Sequence, residues 1–484
     1  MITHPFVSGG GLKEDIWEIT VNTEAKTSGA KTTGIPIYLY NRPGIKITVD
    51  WGDNTSSILT KESYTGKDYT PSIHEYDKPG IYTVQMRSTK WNNIYIDTLN
   101  YAPTGDLTHL QFFRATLIGT GQLPNIAGVS YRISSTSTAS LYSKSFAALF
   151  SCCSHLSSIT VDLFSKNTRV TSFLLCFNKC SSLTSIPAGL FDNNTAVTSF
   201  SYCFNSCSGL TSIPAGLFDN NTAASDFSCC FAGCSGITSI PAGLFDNNTM
   251  AKTFSHCFEG CSGITSIPNG LFDNNPKVTN FSSCFYGCSN LTSIPAGLFD
   301  NNPDVISFNC CFWRCRKLQG IPSGLFHNNS KVTNFHMTFF GCNLSDIPIE
   351  LFINCPAVTD MSGTFGDNPI SSVPSGLFSS QTLVTTLGNN TNTSNGIFSA
   401  GSRGVIDIDE NLFAHMLNLT QARFAFQGHY GFSIRFRATE LTDVTSFCNK
   451  DTEHPVTVYV PAGSATAEAF HAIANANGIV VVEE

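Results

Sequence analysis

The chain has 484 residues, 42% hydrophobic and 13% charged, and 35 acidic against 27 basic side chains leave a net charge of −8. That length exceeds one ordinary core, so several domains or a repeat array are expected. The mild acidity is spread without blocks of like charge and gives no footprint for nucleic acid or an anionic membrane surface, and no apolar run approaches the roughly 18 residues that cross a bilayer.

Residues 1–13 read as an N-terminal arm. They lack the basic, apolar and small-residue regions of a cleaved signal and a cysteine for lipid attachment, so synthesis and folding in cytosol are expected. Residues 14–98 carry apolar and β-branched runs such as Ile35-Pro-Ile-Tyr-Leu-Tyr and Ile45-Lys-Ile-Thr-Val, separated by Gly, Pro and Asn turns at the spacing of a small β-sandwich. Val49-Asp-Trp-Gly-Asp-Asn and His74-Glu-Tyr-Asp-Lys-Pro-Gly-Ile-Tyr-Thr-Val together resemble the two signatures of PKD domains. Asn54 stands where that family usually has glycine, and asparagine also visits positive φ. The resemblance implies a non-catalytic immunoglobulin-like module of extracellular and virion proteins. Trp51 and Tyr82 are expected in its core.

Residues 99–145, with Leu107, Leu110, Phe112 and Phe113, read as a transition that caps the N-terminal end of a repeat array. From 146 to 379 the chain repeats. Ile159, Ile186, Ile213, Ile240, Ile267, Ile294 and Ile321 recur at steps of 27, and Ile347 and Val373 come at steps of 26. Such regularity predicts a solenoid of stacked units, each too small to bury its own apolar face. Within a unit, Phe173, Cys176, Phe177 and Cys180 fall at i, i+3, i+4 and i+7, which predicts a short helix with these residues inward. Leu183-Thr-Ser-Ile-Pro predicts a short strand closed by proline.

The cysteines fall into two ladders, one from Cys176 to Cys311 and one from Cys153 to Cys342. Leu149 and Thr338 take the first ladder's position in outer repeats, which suits a small buried thiol and not a disulfide. No histidine recurs with the pairs, so reduced core thiols are favoured over disulfides and over zinc. A serine at Cys230 is expected to cost stability by burying a hydroxyl. The Asp-Asn-Asn ladder (Asp192, Asp219, Asp246, Asp273, Asp300) has two readings, turn-forming asparagines or aligned oxygens for calcium or sugar hydroxyls. One formal charge per turn, and His327 in place of one aspartate, favour the structural reading.

Val278-Thr-Asn-Phe-Ser-Ser-Cys-Phe-Tyr-Gly-Cys-Ser-Asn-Leu-Thr-Ser-Ile resembles the leucine-rich-like repeat of BspA-type bacterial surface proteins, over about residues 146 to 379. The resemblance implies adhesion and surface recognition, in gut bacteria or their phages, and no catalytic residues. Residues 380–484 read as degenerate repeats and a C-terminal cap. Gly388-Asn-Asn-Thr-Asn-Thr-Ser-Asn-Gly is a polar loop, 456–461 a strand, 464–476 a short helix with Phe470 and Ile473 inward, and 479–482 a last strand.

No P-loop, zinc-protease, nucleophile-elbow or EF-hand motif occurs. The residue after the first ladder's phenylalanine runs Asn178, Asn205, Ala232, Glu259, Tyr286, Trp313, Phe340, about 150° from the core set on a helical wheel. Tyr286, Trp313 and Phe340, flanked by Arg314, Arg316 and Lys317, form the candidate ligand site, with coverage by another segment as the competing reading.

The expected fold is therefore a repeat solenoid (leucine-rich-like, short strands and short helices) with an N-terminal immunoglobulin-like β-sandwich. The expected function is a non-enzymatic phage virion protein, a fibre, appendage or decoration that recognises the host bacterial surface, made in host cytoplasm without cofactor or metal. Its partners would be other virion proteins and a host surface glycan or protein, without nucleic acid or membrane insertion; homo-oligomerisation stays open. The alternatives are a BspA-type cell-surface adhesin and, last, a glycan-degrading enzyme whose paired carboxylates meet only in the fold.

Overall fold

Alternating β-branched and apolar residues in the first 132 positions build extended chain, seen here in a computed structural model. The structure describes residues 156–484 apart from 166, 389–395, 400–403 and 452, together with 48–58, 145–148 and 150–151, and the backbone of the N-terminal strands. The N-terminal arm, Leu107, Leu110, Phe112, Phe113, Leu149, Cys152, Cys153, the side chain of Tyr82, residues 74–80 and the interior of the polar loop lie outside the described residues.

The strands are β1 (Asp15–Asn22), β2 (Pro36–Ile37), β3 (Leu39–Tyr40), β4 (Ile45–Asp50), β5 (Ser56–Lys61), β6 (Ser72–Ile73), β7 (Ile81–Ser88), β8 (Tyr95–Ile96), β9 (Asn125–Arg132) and β10 (Ser158–Ile159). Six of them form one sheet in the order β10-β9-β1-β7-β4-β5, and β2-β6 and β3-β8 form separate pairs. β1 pairs antiparallel with β7 on one side and with β9 on the other, so this sheet draws on the 99–145 segment as well as on 14–98. β10, from the first repeat, adds to β9 in parallel. In the turn after β4, Asp50 Oδ1 accepts from the Gly52 N–H and Asp53 Oδ1 from the Thr55 N–H. Asn54 there has φ 70°, the left-handed region that asparagine tolerates better than most residues. Trp51 is buried and its Nε1 donates to Ser57 Oγ at 2.8 Å.

The chain divides into two units, 1–210 with 216–223 and 211–215 with 224–484. In the first, Ser145, Ser172 and Ser199 are joined by parallel bridges one repeat apart. Beyond each bridge the backbone alternates its allegiance. The N–H groups of Phe173, Leu175, Phe177 and Lys179 donate to Ser199, Ser201, Cys203 and Asn205 in the next rung, while Cys176, Asn178 and Cys180 donate back three residues within their own rung. Leu175 and Lys179 have φ 58° and 61°. The expected short helix is thus absent. Phe173, Cys176, Phe177 and Cys180 do face inward, but every second N–H is spent on the neighbouring rung, and a helix would need them all. The expected strand at Leu183 is also absent; among the described repeats a paired strand at this place occurs only as β10.

The second unit repeats the arrangement. Asp226, Thr253, Asn280, Ser307, Asn334, Asp360 and Thr386 form a continuous run of parallel bridges. Each of these short polar side chains can accept from the N–H two residues on, as Asn280 does from Ser282 and Asp360 from Ser362. Fully buried phenylalanines stack rung upon rung, with Phe258–Phe285 at 5.7 Å, Phe272–Phe299 at 6.3 Å and Phe254–Phe281 at 5.9 Å, and tilted pairs such as Phe272–Phe281 at 4.7 Å and Phe272–Phe285 at 6.3 Å lock the columns together. Each buried ring contributes roughly 1.5–3 kcal/mol and each aromatic pair about 0.5–1.5 kcal/mol more.

Tight turns aim carbonyls into this interior, and three ladders of side-chain donors satisfy them. Cys261, Cys288, Cys315 and Cys342 each point Sγ at a phenylalanine carbonyl of the preceding rung, at 3.1–3.2 Å. Asn368, which continues that ladder, does the same through Nδ2 to Phe339 O at 2.8 Å. The last asparagine of each Asp-Asn-Asn is fully buried and forks two bonds: Asn194 to Phe164 O and Asn167 O, Asn302 to Phe272 O and Asn275 O. Cys355 and Gln381 occupy this ladder's final steps and bond in the same direction. In the first cysteine ladder Thr338 donates to Phe308 O, so that position accommodates a hydroxyl and the expected cost of serine there is overstated. The seventeen described cysteines are all buried thiols. Burial, the largest cause, pushes up the pKa values of Cys203, Cys257, Cys261, Cys284, Cys311 and Cys315, and those of Cys310 and Cys355 to about 12.

Past residue 385 the rungs continue through β11 (Thr386–Gly388), β12 (Gly404–Val405), β13 (Gln421–Ala422), β14 (His429–Tyr430) and β15 (Ser433–Arg435). The chain then forms β16 (Val456–Val460), α1 (Ala465–Asn477) and β17 (Ile479–Glu483), with β15, β16 and β17 parallel. Ser464 caps α1 by accepting from Ala467 N, and Gly478 ends it at φ 65°. Phe470 lies against Phe436 and Phe447, whereas Ile473 is only half-buried, less inward than expected. Among the described residues α1 is the sole helix, there is no closed barrel, and no helix is long and apolar enough to cross a membrane.

Candidate functional site

The turn after each first-ladder phenylalanine presents one side chain per rung beside the buried stack. In the first unit this column is amide: Asn178 Nδ2 donates to Ser151 Oγ, and Asn205 Nδ2 to Asn178 Oδ1 at 2.7 Å. In the second it passes from buried Ala232 through half-buried Glu259 to the aromatic run. Tyr286 and Trp313 meet at 4.8 Å between ring centres, tilted by 48°, and Trp313 meets Phe340 edge-on at 6.2 Å. All three rings are half-buried, so the column is a ledge and not the fully exposed row that the helical wheel suggested.

Phe340 ends the ledge because the next column member is Gly366. A Cβ there would lie 2.6 Å from the ring, so only glycine lets Phe340 fold down onto the rung beyond. The indole Nε1 of Trp313 is buried and makes no hydrogen bond. Arg314, exposed, lays its guanidinium over the Trp313 ring at 5.2 Å from the centre. Arg316 and Lys317 are exposed on the next turn of the same rung. The structure therefore brings Tyr286, Trp313, Phe340 and Arg314 into contact and leaves Arg316 and Lys317 alongside.

Two neighbours carry signals that the column spacing alone did not flag. Glu259 Oε2 is held 2.5 Å from His256 Nδ1, and Asp367 stands beyond Gly341, whose absent Cβ would lie 3.6 Å from both Arg314 Cγ and Asp367 Oδ2. Glu259 is itself a member of the column, and Asp367 follows Gly366, the member after Phe340.

Other clusters are consumed by the fold. Ser362 Oγ bonds Asp360 Oδ1 and His336 Nδ1, a chain with the elements of a hydrolase triad, but Ser362 is fully buried and sits in the middle. Burial holds the His336 imidazole below its ordinary range, against the pull of Asp360. In the Asp-Asn-Asn turns the inner asparagine is turned to carbonyls as a donor, and the exposed aspartate lies over the glycine three residues before it, as Asp192 does over Gly189. Among the described residues no group of three or more His, Cys, Asp or Glu side chains is placed to hold a metal ion.

No protein-family model matches the chain, and no curated protein matches it.

Proposed function

We propose that this chain is a non-enzymatic recognition protein: a leucine-rich-like repeat solenoid of BspA type with an N-terminal PKD-like sandwich, serving as a fibre, appendage or decoration of a phage virion that contacts the host bacterial surface. The observation that carries the reading is the ledge of Tyr286, Trp313 and Phe340, with Arg314 stacked on it. Apolar rings left half-open beside unsatisfied cations are the usual composition of a contact surface. The non-enzymatic part is supported by what the reactive groups already do: thiols kept protonated by burial and donating to carbonyls, and a Ser-His-Asp set spent on capping a turn.

Labelled full-length protein is expected to decorate cells of gut bacteria, and the pair Tyr286→Ala and Trp313→Ala to lose this while folding normally. Gold-conjugated antibody is expected on phage particles purified from lysed cultures. Labelling confined to uninfected cells that make the protein themselves would replace the virion by the cell-surface adhesin.

A further inference from the structure

We infer that the ligand of the Trp313 rung is an acidic polysaccharide, its sugar face on Tyr286 and Trp313 and its carboxylate or phosphate on Arg314, Arg316 and Lys317; this rests on the proposed recognition function. The rungs of the chain serve as one another's controls. Where Arg314 stands, the rungs on either side have Gly233, Gly260, Gly287 and Gly341, all at positive φ; where Arg316 stands they have Ser235, Ser262, Ser289 and Asn343; where Lys317 stands, Gly236, Gly263 and Asn290. Farther along the Arg314 column stand Lys179, Ser206 and Asp367, also at positive φ, but one rung alone departs from small, neutral residues at all three positions, each time to a cation, and it is the rung that bears the tryptophan.

The fold does not ask for these charges. Arg314 has φ 60°, a conformation that glycine adopts freely and arginine does not, so its side chain is kept at a conformational cost. None of the three cations is in an ion pair among the described residues. Of the acids beside the ledge, Glu259 is engaged by His256, and Asp367 lies across Gly341 from Arg314. On a chain of net charge −8 this is a local reversal of sign, next to a ring platform of the size of one or two sugars. Charge selects an anion, the guanidinium forks fit a carboxylate or phosphate, and the flat rings select a pyranose face over a peptide backbone.

The test is titration of the full-length chain with polygalacturonate, hyaluronate and a phosphorylated mannan, with methyl-esterified polygalacturonate and poly-L-glutamate as comparators. At least one acidic polysaccharide should bind, more weakly as salt rises. Affinity should fall by about tenfold or more both in Tyr286→Ala with Trp313→Ala and in Arg316→Ala with Lys317→Ala. Arg314→Gly, which installs the residue of the flanking rungs and relieves the backbone, should weaken binding without lowering the melting temperature. Equal binding of the methyl ester, equal binding of poly-L-glutamate, or no binding of any acidic polysaccharide overturns the inference. Binding of a neutral polysaccharide that is lost in the ring variants would overturn the acidic ligand and leave the recognition reading standing, whereas silence from every polysaccharide together with no attachment of the parent protein to cells removes both.

Discussion

Thr338 Oγ1 lies 3.0 Å from Phe308 O, one rung away, in the position that Cys284 and Cys311 occupy in their own rungs. The hydroxyl also reaches Phe335 O in its own rung at 2.8 Å, and Thr364, the next member, repeats both bonds. A thiol ladder is therefore one version of a more general device, an inward side-chain donor that answers inward carbonyls.

Replacing Cys284 by serine should for this reason cost about 1 kcal/mol or less, because the new hydroxyl finds the carbonyls of Phe281 and Phe254 as Thr338 finds those of Phe335 and Phe308. Cys284→Leu should cost more, about 1–3 kcal/mol, by forcing a larger side chain without a donor into a fully buried site. Thermal unfolding of the two variants checks the order. Leucine milder than serine would mean that volume, not donation, governs the ladder.

The asparagine ladder should be less forgiving. Asn302 supplies two bonds, to Phe272 O and Asn275 O, and alanine would leave both carbonyls without this donor. Asn302→Ala should destabilise by about 2–4 kcal/mol through the two abandoned carbonyls and a small cavity. Asn302→Gln should be milder, since Gln381 fills the same role at the end of the ladder. Chemical denaturation of both, compared at one denaturant slope, reads the difference.

The pattern of inward residues was legible in the sequence, and the path of the backbone was not. Phe173, Cys176, Phe177 and Cys180 recur at helical spacing and all are buried, yet Leu175 and Lys179 at positive φ make a chain of tight turns. Periodicity reports which side chains share a face; it does not say whether the N–H groups bond within the rung or across to the next. The missing signal was in Ser172, Ser199, Asp226, Thr253 and Asn280, a column built from the side chains that form local turns. For the candidate site, the column spacing found the three rings and their cations. It could not show that Phe340 folds down over Gly366, because that depends on an atom which glycine lacks.

The buried thiols set an alkaline limit. Burial raises Cys310, Cys355 and Cys448 to about 12, with the charges of Glu259 and Asp360 adding to it at Cys310, and raises Cys261, Cys284 and Cys315 in the same direction. A folded-state value above the unfolded one means stability is complete below the unfolded value, near 8.5, and is lost as the unfolded chain ionises between there and the folded value. Each such thiol contributes a slope of about 1.4 kcal/mol per pH unit in that window, so the three valued groups alone give about 4 kcal/mol per unit. Urea midpoints should be flat with respect to these thiols from pH 7 to 8 and fall steeply above 9. A flat profile to pH 10.5 would show that the thiols are absent as such. Titration of the denatured, non-reduced chain should then count close to none of the 19 cysteines as free, where the ladders require most of them.

The C-terminal segment should be indispensable to solubility. β17 closes the parallel sheet by pairing with β16 along its whole length, and α1 brings Phe470 onto Phe436 and Phe447, which are the last rings of the buried stack. Cutting the chain after residue 450 removes β16, α1 and β17 together. That bares the edge of β15, leaves Phe436 and Phe447 open, and strips Arg435 of its contact with Glu484. An unpaired edge beside an apolar end is the geometry that recruits a second chain. The truncated protein should aggregate or self-associate in size-exclusion chromatography, whereas Glu483→Gln, which changes an exposed carboxylate that meets His471 and accepts from the Gly463 N–H and leaves an amide oxygen to accept in its place, should elute as the parent does. A truncated chain that remained monomeric and melted cooperatively would mean that the rungs before residue 433 close the stack by themselves, and that the helix is an appendage to the fold and not its lid.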